Sequence, residues 1–276
     1  MITDPGDHFA GMPGGHMEQP SAASLITRDV RHNYTWNGIT YPGVTGILKV
    51  LDKSDALVGW ASKNTALAAL ALINTRNELG ETPADILRNS AGDEAFVRAV
   101  TSRANWQRDE AARIGTAIHG MAEHVVRGEP TPSMPPDIAD RVLLYAEWWQ
   151  RSGWRLRVAE GLLVNTTYKY GGTLDLLCYD QDGRTVLADI KTGKNVYAET
   201  CLQLAAYGMA EVIQADGRVF KMPQVDRHVI VHVTHEQVRE IEVPGGTAEE
   251  DAFIAACELA RWRESIKNRF PEGYQR

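Results

Sequence analysis

Two aspartates and a lysine carry the clearest chemical signal in the sequence. Asp175 ends the run Tyr170, Gly171, Gly172, Thr173, Leu174, Asp175, and Asp189 and Lys191 lie in Ala188, Asp189, Ile190, Lys191, Thr192, Gly193. Both runs have strand composition, and Gln181, Asp182 and Gly183 between them make a three-residue hairpin loop with Gly at the left-handed position. Pairing Asp180 with Arg184 and counting outward sets Asp175 opposite Asp189, on one face with Lys191, because side chains alternate with period 2. Cβ atoms across such a pair lie roughly 4.5 to 5.5 Å apart, so the two carboxylates repel unless something positive intervenes. A divalent cation resolves the conflict; a raised pKa on one carboxylate, or neutralisation by Lys191, are the alternatives. The opposite face, Leu174, Leu176 and Cys178 against Val186, Ala188 and Ile190, is apolar at every position and is expected to meet a core.

Helical spacing adds partners on both sides of this hairpin. Downstream, Gln203 and Tyr207 stand four apart, which puts an amide and a phenol on one helix face. Upstream, Gly115, His119 and Glu123 line one side of a long helical stretch, with His124 on another face. Glu160 lies inside an alternating, strand-like run from Trp154 to Val164. Each feature has a plain structural alternative: an exposed Asp189–Lys191 ion pair of little energetic consequence, a structural histidine, a solvated strand glutamate.

In order, these motifs are Gly115 to His119, Gly172 to Asp175, Asp189 to Lys191, and Gln203 to Tyr207. The ordered set resembles the PD-(D/E)XK nuclease superfamily, in its RecB-like exonuclease branch with CRISPR-associated and phage-encoded members. The resemblance is close over roughly residues 110 to 215. It implies an α/β (α+β) fold with a restriction-endonuclease-like core, a mixed central β-sheet flanked by helices, preceded here by an N-terminal helical region. It further implies Asp175, Asp189 and the Ile190 carbonyl as ligands of one or two Mg2+ or Mn2+ ions, with His119 as a further ligand. Lys191 would orient or activate the attacking water, while Gln203 and Tyr207 would position the strand or the lysine. Glu160 is a candidate water-mediated metal contact. Many relatives hold an iron–sulfur cluster with four cysteines. This chain has three, Cys178, Cys201 and Cys257, none before His119, so no cluster is expected.

The expected function is a metal-dependent DNA exonuclease of phage recombination, replication or repair, whose partners are DNA and a recombination or annealing protein. A DNA-end-binding accessory with an unproductive nuclease fold, or a structure- or site-specific endonuclease on the same core, are the alternatives. Candidate phosphate contacts are Lys169, Lys194, Arg261 and Arg263, each of which is otherwise ordinary solvated surface.

The elements that must position these residues follow from the rest of the chain. Its 276 residues are enough for a sizeable core. A net charge of −7 argues against broad non-specific affinity for nucleic acid, but not against a local site. The three cysteines are widely spaced and lack a C-x-x-C pair, which suggests a reducing compartment. With no long apolar run and no signal-like leader, a cytoplasmic protein without membrane contact is expected. Residues 1–24 read as a disordered arm, 25–110 as an N-terminal hairpin and helical region, and 111–276 as the nuclease core with a C-terminal helix. Asn37-Gly38 marks a hairpin, and Thr45 or Ser54 is a candidate helix cap. Arg98, Arg103, Arg108 and Arg113 recur every five residues, so successive members rotate by about 140° and form no basic stripe. A helix is expected over 199–213, strands over 227–233 and 238–243, and a last helix from 248 to about 268.

Overall fold

A computed structural model describes residues 25–51, 54–82, 85–86, 94–266 and 269. The arm expected at 1–24 lies outside the described residues. The elements in chain order are β1 (Thr27–Arg28), β2 (Tyr34–Trp36), β3 (Ile39–Tyr41), α1 (Val44–Ile47), α2 (Ser54–Glu78), α3 (Glu94–Arg127) and α4 (Pro136–Ser152). They continue with β4 (Arg155–Asn165), β5 (Tyr170–Tyr179), β6 (Thr185–Lys191), α5 (Glu199–Gly208), β7 (Val212–Ala215), β8 (Arg218–Lys221), β9 (Arg227–Val233), β10 (Val238–Val243) and α6 (Thr247–Ile266). Among the described residues, no helix is long and apolar enough to cross a membrane.

The chain divides into two compact units, residues 52–117 and the remainder. The smaller unit holds α2 and the first part of α3, with Ala68, Ile86 and Val100 buried. Arg98 and Arg113 pair with Glu94 and Glu110 of their own helix, as a solvated helix would. The larger unit contains the N-terminal hairpin, which therefore belongs with the core rather than with the helical region that follows it in sequence.

In the larger unit, β1, β2 and β3 form a three-stranded sheet, with Asn37 and Gly38 at positive φ in the β2–β3 turn. A seven-stranded sheet runs in the order β10-β9-β6-β5-β4-β7-β8. Every pairing in it is antiparallel except β6 with β9. The fold is thus mixed α/β, with helices packed on a mixed sheet. Leu204 and Tyr207 of α5 and Phe253 and Ala256 of α6 join Leu163, Leu177, Leu187 and Ile230 in one core cluster. Leu176, Cys178, Val186 and Ala188 are equally buried but lie outside that cluster. Both faces of the central strands are therefore covered, as a β6–β9 parallel pair requires.

Two expectations change. The helix expected over 199–213 ends at Gly208, and the chain goes on as the β7–β8 hairpin. Its turn is Asp216-Gly217, both at positive φ, the pair that a two-residue hairpin turn favours. Pairing of β7 with β4 then holds the segment extended. Leu174 also leaves its expected face. It packs in the same cluster as Leu177 and Leu187, although residues three apart such as Leu174 and Leu177 face opposite ways in strict alternation.

Candidate metal centre

The phase error at Leu174 locates a kink shared by two neighbouring strands. An added Cβ at Gly161 would lie 2.7 Å from Val158 Cγ1, although residues three apart in a regular strand face opposite ways. The step between them contains Glu160 at φ 52, in the left-handed region that non-glycine residues rarely adopt. Across the ladder, Val158 faces Leu177 and Gly161 faces Leu174. Glu160 and Asp175 are the pair that this ladder skips, beyond its register shift between Leu156 and Val158. Strain of this kind marks sites where a side chain is aimed for a purpose.

Three donors converge there. His119 from α3, Glu160 from β4 and Asp175 from β5 place ligand atoms within 4.8 Å of one another. His119 Nδ1 lies 3.5 Å from Asp175 Oδ2. Burial disfavours a charged His119, but the bond to Asp175 and the charges of Asp175 and Asp189 outweigh it and raise its pKa. Glu160 is pushed up to about 7 by lost solvation and by Asp175. The cluster therefore carries more negative charge than its protein surroundings neutralise.

The hairpin holds a third carboxylate, that of Asp189, beside these three donors. The β5–β6 ladder runs from Tyr179↔Thr185 to Leu176↔Ala188, leaving Asp175 next in line with Asp189. In place of a further backbone bond, Asp175 Oδ2 accepts the Ile190 N–H at 2.6 Å. The N–H and C=O of one strand residue point to the same neighbour, so the Ile190 carbonyl is directed to the same side. Asp189 is almost fully buried, and its Oδ2 forms an ion pair with Lys191 Nζ at 2.6 Å. Burial, and then Asp175, raise the Asp189 pKa against the pull of Lys191.

A second set of contacts fixes the lysine. Lys191 Nζ donates to Gln203 Oε1 at 3.3 Å, and Gln203 Nε2 donates to the Tyr207 hydroxyl at 2.9 Å. The amide orientation is set by this pair of partners. Burial, followed by Asp189, holds the Tyr207 phenol well above its ordinary range, so it stays protonated. Gly172 makes room for the ring, since a Cβ there would meet Tyr207 Cε1 at 2.6 Å.

The donor set fits a hard divalent cation. Carboxylates suit Mg2+ and Mn2+, whereas imidazole favours transition ions, so a set that includes His119 favours Mn2+ over Mg2+.

The proposed nucleic-acid contacts Lys169, Lys194, Arg261 and Arg263 are all exposed. Lys169 is exposed in the β4–β5 turn, where Arg261 donates to the Tyr168 carbonyl at 3.4 Å. Lys194 is exposed three residues past Lys191, and Arg263 is exposed in the last turn of α6. His124, the neighbour of His119, pairs instead with Glu129 at 3.0 Å. Sequence reasoning missed the rim supplied by the N-terminal hairpin. Arg28 and the Tyr34 hydroxyl both bond Thr173 Oγ1, at 3.2 and 2.9 Å, two residues before Asp175. The local signal was Gly171, where a Cβ would meet the Tyr34 side chain at 2.5 Å.

No family model matches the chain, and no curated protein matches it. The crystal structure of SSO0001 is similar over 46% of this chain and 61% of its own, at 17% identity and a TM-score of 0.29. The chain thus spans less than two thirds of that structure's length, and the likeness carries no argument about fold or function.

Proposed function

We propose that this protein is a metal-dependent nuclease of the PD-(D/E)XK kind, hydrolysing phosphodiester bonds in DNA from an end. One observation carries the reading: the convergence of His119, Glu160 and Asp175 beside the Asp189–Lys191 pair. The ordered motifs that resemble the RecB-like branch contain His119, Asp175, Asp189 and Lys191 and support the same reading.

His119, Glu160, Asp175 and Asp189 would hold Mg2+ or Mn2+, which when bound polarises a phosphoryl oxygen and lowers the pKa of a water. The remaining roles belong to the chain itself. Asp189 and Gln203 hold the Lys191 ammonium in one place, where it can orient a water and meet the charge developing on a phosphate. Tyr207 fixes the far end of Gln203, so the lysine's position depends on a buried phenol. The bond from Ile190 N–H to Asp175 keeps that carboxylate at the mouth of the hairpin.

End-labelled linear DNA and closed circular DNA, single- and double-stranded, should be incubated with Mg2+ or Mn2+. Linear DNA should lose its terminal label while circles survive, and Lys191→Ala should slow hydrolysis by about 10²-fold or more while retaining DNA binding. Undiminished cutting by Lys191→Ala would remove the lysine from this role. Circles cut as fast as linear DNA would favour an endonuclease, and binding without cutting an accessory protein.

A further inference from the structure

The segment between β6 and α5, residues 192–198, joins Lys191 to the helix that carries Gln203 and Tyr207, and it is pinned along its length. Buried Arg141 donates to the Thr192 carbonyl at 3.3 Å, and its Nε donates to His235 Nδ1 at 3.2 Å. His232 Nε2 donates to the Gly193 carbonyl at 2.8 Å. Val196 packs, partly buried, against the core cluster. The Tyr197 carbonyl accepts the Thr200 N–H at 3.0 Å, which ties the far end to the start of α5.

Against this anchored backbone, four side chains face out, those of Lys194, Asn195, Tyr197 and Ala198. Lys194 and Asn195 are exposed, and Lys194 makes no ion pair among the described residues. Tyr197 is 57% exposed and has no aromatic or cationic partner among the described residues. An aromatic ring on a held backbone loses little further freedom on binding, so it makes an economical stacking surface. A neighbouring lysine supplies what a phosphate needs. Six residues of chain span at most about 20 Å, so the ring stands within a few nucleotides of Lys191.

We propose that Tyr197 is a stacking platform for one base of a single DNA strand entering the site, with Lys194 on an adjacent phosphate. The proposal rests on the nuclease reading above and adds a binding subsite to it. Base stacking of this kind tolerates any sequence, since every base has a π-face.

The test uses the full chain carrying Lys191→Ala to block cutting, in Mg2+, with single-stranded oligonucleotides bearing 2-aminopurine at successive positions. Binding should quench the fluorescence at one or two adjacent positions. Tyr197→Ala should abolish that quench and weaken binding about fivefold or more, whereas Tyr197→Phe should keep both. Lys194→Ala should lower the salt dependence of binding by about one unit of log–log slope, and Tyr197→Ala should leave that slope unchanged. A Tyr197→Ala protein with wild-type affinity and quench overturns the inference. If the wild-type chain cuts DNA and that result is found, the inference alone fails; if the wild-type chain neither binds nor cuts DNA, the nuclease reading fails and the inference with it.

Discussion

Glu160 is the residue on which the pH behaviour of the site turns. Its carboxyl titrates at about 7 in the fold, against 4.5 for an ordinary glutamate, because lost solvation and then Asp175 disfavour its charge. Between those two values the folded protein keeps a proton that the unfolded chain has already released. Stability contributed by this group therefore falls as pH rises through that window, and the full loss stands above the folded pKa. Glu160→Gln carries no such charge. Without metal, its stability relative to wild type should improve steadily from about pH 5 to about pH 8, read by urea unfolding across that range. A difference that stays constant would mean that Glu160 titrates as an ordinary exposed glutamate. With a cation present the order should reverse, because the ionised carboxylate becomes a ligand and the amide a poorer one. Single residues were legible in the sequence where a covalent count fixed them. The three-residue loop set Asp175 against Asp189, and helical spacing put Gln203 with Tyr207. Glu160 had only its place in an alternating run, because the backbone turn that aims it has no one-residue code.

At the scale of elements, the kink in β4 and β5 and the packing of α5 decide whether those residues meet. Gly172 of β5 lies under the Tyr207 ring, and an added methyl would stand 2.6 Å from Cε1 and 3.1 Å from Leu163 Cδ1, both on fully packed side chains. Overpacking of this order costs about 1 to 3 kcal/mol. Relief must come largely from Tyr207 moving, which loosens Gln203 and with it Lys191. Gly172→Ala should thus lower kcat well beyond its effect on KM, with a modest drop in the urea midpoint. Tyr207→Phe should lower kcat with less loss of stability, since the ring remains and only the hydroxyl acceptor goes. An unchanged kcat in Gly172→Ala would show that α5 does not control the lysine. The hairpin of β5 and β6, the long helix bearing His119, and the pair β9–β10 could be read from period and turn residues. The hairpin β7–β8 could not be read so easily: residues 209–215 continue an apolar pattern that suits a helix, and pairing with β4 overrides it. Leu174 was assigned to the wrong face for the same kind of reason. A period-2 count assumes an unbroken ladder, and the β4–β5 ladder skips the Glu160–Asp175 pair, where Glu160 has a positive φ.

For the molecule as a whole, the important fact is that all four candidate ligands lie in one compact unit, with His119 just inside its boundary on α3. A cation bound there ties helix to sheet within that unit and binds the folded chain far better than the unfolded one, so it must stabilise the fold by mass action. At about 100 times its dissociation constant, an ion contributes about 2.7 kcal/mol. For a chain of this size that raises the thermal midpoint by about 5 to 10 °C. Mn2+ or Mg2+ added at constant ionic strength should therefore shift the calorimetric transition of the larger unit by that amount. Asp175→Asn should lose most of the shift, because it removes a shared ligand while leaving an acceptor for the Ile190 N–H. The comparison separates a site from a diffuse effect. A chain of net charge −7 attracts any divalent ion, and screening of that charge would stabilise wild type and Asp175→Asn equally. An equal shift in the two proteins would thus remove the metal centre, and with it the chemistry proposed for the whole fold.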